Sequence, residues 1–79
     1  MVRFFVYGRS TCNYCVEAVR TLRDLKIEHV FFDSEPDFLE EAKQFYNRET
    51  VPIVLKNNKR TGKVTLIGGC DDLKVHLDV

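Results

Sequence analysis

The chain has 79 residues, and its 12 basic and 12 acidic side chains give no formal net charge at pH 7. A chain of this length has room for one domain and one modest hydrophobic core. The balanced charge argues against a basic surface for nucleic acid or anionic lipid. No apolar run approaches the roughly 18 residues needed to span a bilayer, and the first residues lack the pattern of a signal peptide. We therefore expect one cytoplasmic domain, residues 1–79, that binds neither nucleic acid nor membrane.

The first part of the chain predicts a strand, a helix and a second strand. Residues 2–7 form a short apolar and aromatic run that ends at Gly8, which is typical of a buried strand. From Asn13 to Ile27 the apolar residues recur at helical spacing, which indicates an amphipathic helix of about three to four turns. Residues 29–33 form another compact strand candidate. In such a unit the two strands are parallel and joined by a right-handed crossover.

The rest of the chain predicts a helix, a hairpin and a closing helix. Pro36 marks a helix start, and the helical pattern continues through Tyr46. Residues 51–56 and 63–67 have the pattern of two strands joined by a polar turn, and residues 70–77 that of a short helix. The predicted order is β-α-β-α-β-β-α. This is an α/β fold whose four-stranded mixed sheet is flanked by helices, because the hairpin adds antiparallel strands to the parallel pair.

The most informative residues are two of the three cysteines. Cys12 and Cys15 are separated by two residues, which is a poor layout for a stapling disulfide framework and favours chemistry. Cys12 lies where the first strand gives way to the helix. The free N–H groups and the helix dipole stabilise an anion there, and Arg9 adds a nearby positive charge. We therefore expect Cys12 to attack as a thiolate and Cys15 to resolve the mixed disulfide that forms.

A zinc site is the main alternative for this cysteine pair, because the same spacing provides half of a tetrahedral zinc site. A closed site needs two more ligands. The candidates Cys70, His29 and His76 are not paired at ligand spacing. We therefore expect no metal, and a pair of cysteines that are merely buried is the other structural alternative.

Several motifs together resemble the glutaredoxin family, which has a thioredoxin-like fold, and the resemblance covers nearly the whole chain. They are, besides the order of the elements, Cys12-Asn13-Tyr14-Cys15, Thr50-Val51-Pro52, and Gly68-Gly69 followed by Cys70-Asp71-Asp72-Leu73. The resemblance implies a single glutaredoxin domain with glutathione as the reducing co-substrate. It implies an enzyme that reduces protein disulfides and glutathionylated proteins, with ribonucleotide reductase as one candidate acceptor. The chain is also expected to be monomeric.

The resemblance further implies a glutathione-binding set, namely Arg9, Tyr14, Thr50, Val51, Pro52, Gly69, Cys70 and Asp71. Arg9 would pair with the glycine carboxylate of glutathione. With Pro52 in the cis form, Val51 would present its backbone N–H and C=O to the tripeptide as an added strand does. Asp71 would meet the ammonium group of the γ-glutamyl end. The simpler structural interpretations are a packed Tyr14, an ordinary glycine turn and a trans proline at a strand start.

Some features of the sequence depart from the family pattern and leave alternatives open. Asn13 stands where proline is usual, and Ile53 is apolar where many members carry a polar residue. Lys43, Gln44 and Arg48 would supply a missing contact, although their spacing is more typical of a solvated helix face. Cys70 is expected to be a small buried residue, the alternative being a thiol that glutathione caps on oxidation.

Two other functions fit the same family. One is an electron donor to ribonucleotide reductase that thioredoxin reductase recharges in place of glutathione. The other is a protein that binds an iron-sulfur cluster between two protomers, with Cys12 and bound glutathione as ligands. The acidic Asp71 and Asp72 together with Arg9 favour glutathione over thioredoxin reductase as the reductant. The additional thiol of Cys15 favours redox catalysis over binding of an iron-sulfur cluster.

Overall fold

The computed structural model of the protein describes all residues 1–79 and contains four strands and three helices in the predicted order. The elements are β1 Val2–Gly8, α1 Asn13–Asp24, β2 His29–Asp33, α2 Pro36–Phe45, β3 Ile53–Asn58, β4 Val64–Gly68 and α3 Cys70–Leu77. The strands lie in the order β2-β1-β3-β4, with β2 parallel to β1 and the other neighbours antiparallel. The predicted α/β fold with a four-stranded mixed sheet is confirmed. None of the helices is long and apolar enough to cross a membrane.

The main hydrophobic core lies on the face of the sheet that α1 and α3 cover. Successive side chains of a strand point to opposite faces, so Phe4 and Val6 of β1 both enter this core. They pack with Leu22 of α1 and Leu73 of α3, and all four side chains are buried. Burial of each large apolar side chain stabilises the fold by roughly 1.5–3 kcal/mol. This core therefore holds α1, and with it the cysteine pair, firmly against the sheet.

Three predicted element ends are wrong by two or three residues: β3 ends at Asn58 and not at residue 56, and local backbone chemistry explains the other two. Helix α1 ends at Asp24, not Ile27, because Lys26 adopts a left-handed conformation with φ 58°. The amide of Ile27 then donates to the carbonyl of Leu22, which closes the helix end in the manner of a Schellman motif. Strand β3 begins at Ile53 and not at residue 51, since Pro52 has no N–H to donate to a ladder.

Candidate active site

The turn between β1 and α1 places Cys12 at the N-terminal end of the helix. Cys12 is the residue that precedes the first helical turn and has an extended backbone, with φ −89° and ψ 123°. Its amide donates to the carbonyl of Arg9 at 3.1 Å, and its carbonyl accepts from the amide of Val16 at 3.0 Å. Cys12 is partly exposed, whereas Cys15, within the first turn, is fully buried. The predicted position of Cys12 at the helix terminus is confirmed.

The pKa of the Cys12 thiol is lowered by groups of the first helical turn. Burial raises this pKa, but hydrogen bonds to the sulfur from the amide and thiol of Cys15 and from the amide of Tyr14 outweigh it. The guanidinium of Arg9 is engaged elsewhere. It donates to the carbonyl of Ser34 at 3.1 Å and lies 3.9 Å from the Asp33 carboxylate. The first turn of the helix, and not a neighbouring cation, therefore lowers the pKa of Cys12.

Cys15 has the opposite electrostatic environment. The pKa of Cys15 is raised to about 12, mainly by burial and then by the hydrogen bond and charge of Cys12 and the charge of Cys70, against a lowering hydrogen bond from the backbone of Arg9. As the pH rises, the pair therefore loses its first proton from Cys12, while Cys15 remains a thiol. Once the Cys12 sulfur enters a disulfide it carries no charge. Its charge then no longer raises the pKa of Cys15, which loses its proton more readily. The order of attack follows from this arrangement.

We expect this difference to be visible in alkylation. In the folded protein Cys12 should react with iodoacetamide at pH values below the ordinary thiol pKa, because the lowered pKa preserves the reactive thiolate there. Cys15 should stay unmodified over the same range, since its pKa is raised. The measurement is the rate of modification against pH, with peptide mapping. The protein unfolded in guanidinium is the control, and equal rates for both cysteines in the folded protein would contradict this assignment.

A groove of about 270 Å³ opens beside Tyr14, the residue just before Cys15. Its lining residues are Tyr14, Arg48, Thr50, Val51, Pro52, Gly69, Cys70, Asp71 and Asp72. The fold therefore gathers into one groove every residue of the expected glutathione-binding set except Arg9. The Val51–Pro52 peptide bond is cis, as the resemblance implies. Arg48, one of the three residues considered for a missing contact, and Asp72, from the acidic stretch of the last motif, also line the groove.

The start of α3 is shaped by Asp72. The amide of Gly69 donates to the Asp72 carboxylate at 2.8 Å, and Arg48 donates to the same oxygen at 3.2 Å. Gly68 has φ 128°, and a β-carbon there would overlap the Asp72 carboxylate. A carboxylate three residues after a helix start is a capping signal that the sequence does contain. Arg48 carries no such signal, because only the fold brings it to Asp72, 24 residues further along the chain.

Cys70 is 5% exposed and does not resemble a second nucleophile. Its thiol lies 3.6 Å from the Glu17 carboxylate, to which it donates, and Glu17 is also bound to Lys74. Burial and the negative charge of Glu17 raise the pKa of Cys70, so it remains a thiol at neutral pH. The expectation of a buried residue is confirmed. No group of three or more His, Cys, Asp or Glu side chains is placed to hold a metal ion.

A reactive thiolate with a buried partner thiol, carried on this α/β fold, is the arrangement of thiol-disulfide oxidoreductases. A model of the glutaredoxin family matches residues 4–60. The chain therefore belongs to the glutaredoxin family, which confirms the resemblance inferred from the sequence.

Solved structures of glutaredoxins are similar to the chain over almost its whole length. The solution structure of glutaredoxin from Brucella melitensis is 29% identical, has a TM-score of 0.74, and covers 99% of this chain and 80% of its own. Wheat glutaredoxin is 25% identical, with a TM-score of 0.73 and coverage of 95% and 68%. The buckwheat glutaredoxin-glutathione complex is 26% identical, with a TM-score of 0.70 and the same coverage. The search of curated protein sequences gave no match.

Proposed function

We propose that the protein is a glutathione-dependent oxidoreductase that reduces protein disulfides and strips glutathione from mixed disulfides. The observation that carries the proposal is a lowered thiol pKa at Cys12, two residues before Tyr14, which lines a groove together with Val51 and Asp71. A relative from buckwheat was solved as a glutathione complex, which supports the choice of ligand. The proposal includes a monomer in the cytoplasm, a compartment whose glutathione keeps thiols reduced.

The reduction of a mixed disulfide needs only Cys12. Its thiolate attacks the glutathione sulfur of a protein-S-S-glutathione bond, and the protein leaves as a thiolate that takes up a proton. Cys12 is then joined to glutathione. A second glutathione thiolate attacks the glutathione sulfur of that bond, which releases oxidised glutathione and returns Cys12 as a thiolate.

The reduction of a protein disulfide uses both cysteines. Cys12 attacks one sulfur of the substrate, and the other sulfur leaves as a thiol. Cys15 gives up its proton and attacks the Cys12 sulfur, which releases the second substrate thiol and forms a Cys12–Cys15 disulfide. Two glutathione molecules reduce this disulfide and leave as oxidised glutathione. Ribonucleotide reductase belongs to the proposal as a candidate acceptor.

The groove offers a partner for each polar end of glutathione. Asp71 is the acidic group for the γ-glutamyl ammonium, and the backbone of Val51 is available to the central cysteine. For the glycine carboxylate we assign Arg48 in place of Arg9. Arg48 lines the groove, whereas Arg9 is bound to the end of β2.

The test is steady-state reduction of a glutathionylated peptide, with either glutathione and glutathione reductase or thioredoxin reductase as the electron source. We expect turnover with glutathione. Arg48→Gln should raise the KM for glutathione several-fold, because it removes a charged carboxylate partner, and the matched variant Arg9→Gln should leave it near the wild-type value. Turnover with thioredoxin reductase alone would overturn glutathione dependence. Visible absorbance after anaerobic purification would favour the iron-sulfur alternative.

A further inference from the structure

A second cavity, of about 180 Å³, lies between α1 and β2 and shares no lining residue with the glutathione groove. The residues that line it are Ser10, Cys15, Val16, Val19, Arg20, Arg23 and Phe31. Ser10 and Cys15 place one end of this cavity at the cysteine pair. The first helical turn therefore borders two separate concave surfaces, the glutathione groove through Tyr14 and this cavity through Cys15.

The cavity has an apolar floor and a cationic rim. Val19 and Phe31 form the floor and pack against the main core. Val16, Arg20 and Arg23 follow each other at spacings of four and three residues, so they form one stripe along α1. The Val16 side chain is 39% exposed, which leaves an apolar contact area open beside the two arginines.

The two arginines are not neutralised by acidic groups of their own chain. Arg20 forms no ion pair, and although its charge contributes to the lowered pKa of Glu17, three residues before it, the Glu17 carboxylate is bound to Lys74. Arg23 has one ion pair, 3.9 Å long, with its neighbour Asp24, and both side chains are about two-thirds exposed. Such a contact contributes little at the surface. On a chain with no net charge, this rim is a local concentration of positive charge.

The neighbouring sheet edge has free backbone hydrogen-bonding groups. Strand β2 pairs only with β1. The carbonyl of Glu28 accepts from β1, and the amide of Ser34 donates to β1, so these two residues face inward. In a parallel strand, every second residue directs its backbone groups to the same neighbouring strand. Phe31 is three residues from both Glu28 and Ser34, so its backbone groups point away from β1. Its backbone N–H and C=O therefore point to the open edge, directly beside the cavity that its side chain lines.

We propose that Val16, Val19, Arg20, Arg23 and Phe31, here called the α1–β2 surface, dock an acidic, extended segment of a protein substrate. An apolar side chain of the segment enters the cavity, its carboxylates meet the two arginines, and its backbone pairs with the open edge of β2. The inference rests on the proposed function and names the class of protein it acts on. Because the cavity and the groove are separate, substrate and glutathione bind at the same time.

Peptide binding tests this proposal without relying on catalysis. The probe is a short cysteine-free peptide with one central Leu flanked by Glu and Asp, and its control replaces those acids by Gln and Asn. We expect NMR titration of the wild-type protein to move the amides of β2 and of the Val16 to Arg23 stripe, and to show the acidic peptide binding more tightly. Arg20→Glu/Arg23→Glu should weaken its binding about tenfold, because two ion pairs become two repulsions. The matched variant Arg60→Glu/Lys63→Glu makes the same charge change on the β3–β4 turn and should have little effect.

Kinetics then connect the surface to catalysis. With a disulfide-linked form of the acidic peptide, Arg20→Glu/Arg23→Glu should raise KM while turnover of a small disulfide by glutathione stays unchanged. Equal binding of the acidic and neutral peptides, shifts confined to the glutathione groove, or a double variant that binds normally would each overturn the inference. Self-association that the double variant abolishes would assign the surface to a second copy and also overturn it. Failure of the wild type with the small disulfide would count against the proposed function and not against the docking surface, since peptide binding is measured separately.

Discussion

Replacement of Cys12 by serine is expected to reduce the rate of glutathione-dependent disulfide reduction by at least about a thousandfold. A serine hydroxyl at this position cannot ionise at neutral pH, whereas the amides of Tyr14 and Cys15 stabilise a thiolate there. Replacement of Cys15 by serine should leave turnover of a glutathionylated peptide within a few-fold of wild type, because that reaction uses one protein sulfur. The measurement is steady-state kinetics with both substrate classes, glutathionylated and intramolecular disulfide.

The two cysteine variants also control for each other. Both keep the size of the side chain closely, so a common loss of stability in urea would point to misfolding and not to chemistry. Loss of both reactions in Cys15→Ser would contradict the assignment, because it would make the buried thiol essential for the first attack. Retained mixed-disulfide turnover in Cys12→Ser would transfer the nucleophile to Cys15 or Cys70, against the raised pKa of each.

The fold could be predicted because each element carries a local signal. Residues 2–7 and 29–33 are short apolar runs, and the pattern from Asn13 onward has helical spacing. The ends were harder. A left-handed Lys26 has no distinctive sequence signal, since glycine is the usual residue for that conformation, and apolar side chains continue past it to Ile27.

The parts of the site that are formed by residues close together in the sequence could be predicted. The parts that are formed by residues far apart in the sequence were harder to predict. The cysteine pair and its helix terminus lie within one turn, so sequence alone located them. Arg9 is also close in sequence, but the direction of its side chain depends on Asp33 and the Ser34 carbonyl, which only the parallel pairing of β1 with β2 brings near. Arg48 lines the groove and donates a hydrogen bond to Asp72, which is far from it in the chain.

Replacement of Gly8 by alanine adds only one methyl group, but we expect it to change both the stability of the protein and the pKa of Cys12. A β-carbon on Gly8 would overlap the Cys15 sulfur and lie 3.2 Å from the Cys15 β-carbon. Cys15 is fully buried within the first turn of α1, so Gly8→Ala must displace its side chain and disturb its contact with Cys12. We expect the free energy of unfolding to fall by about 1–3 kcal/mol, as in other overpacked cores. The pKa of Cys12 should rise, because its hydrogen bond from the Cys15 thiol is lost.

Two further variants separate this packing effect from a general cost of replacing glycine. Gly62→Ala lies in the β3–β4 turn at φ 81° with no atom within 4 Å, so it should reduce stability through backbone strain and leave the pKa of Cys12 unchanged. Gly8→Ala/Cys15→Ala removes the overlapping sulfur, and it should recover part of the stability that Gly8→Ala loses. Urea unfolding and the pH dependence of alkylation measure both quantities. If the double variant is instead less stable by the sum of the two single effects, the overlap with the Cys15 sulfur is not the reason that this position requires glycine.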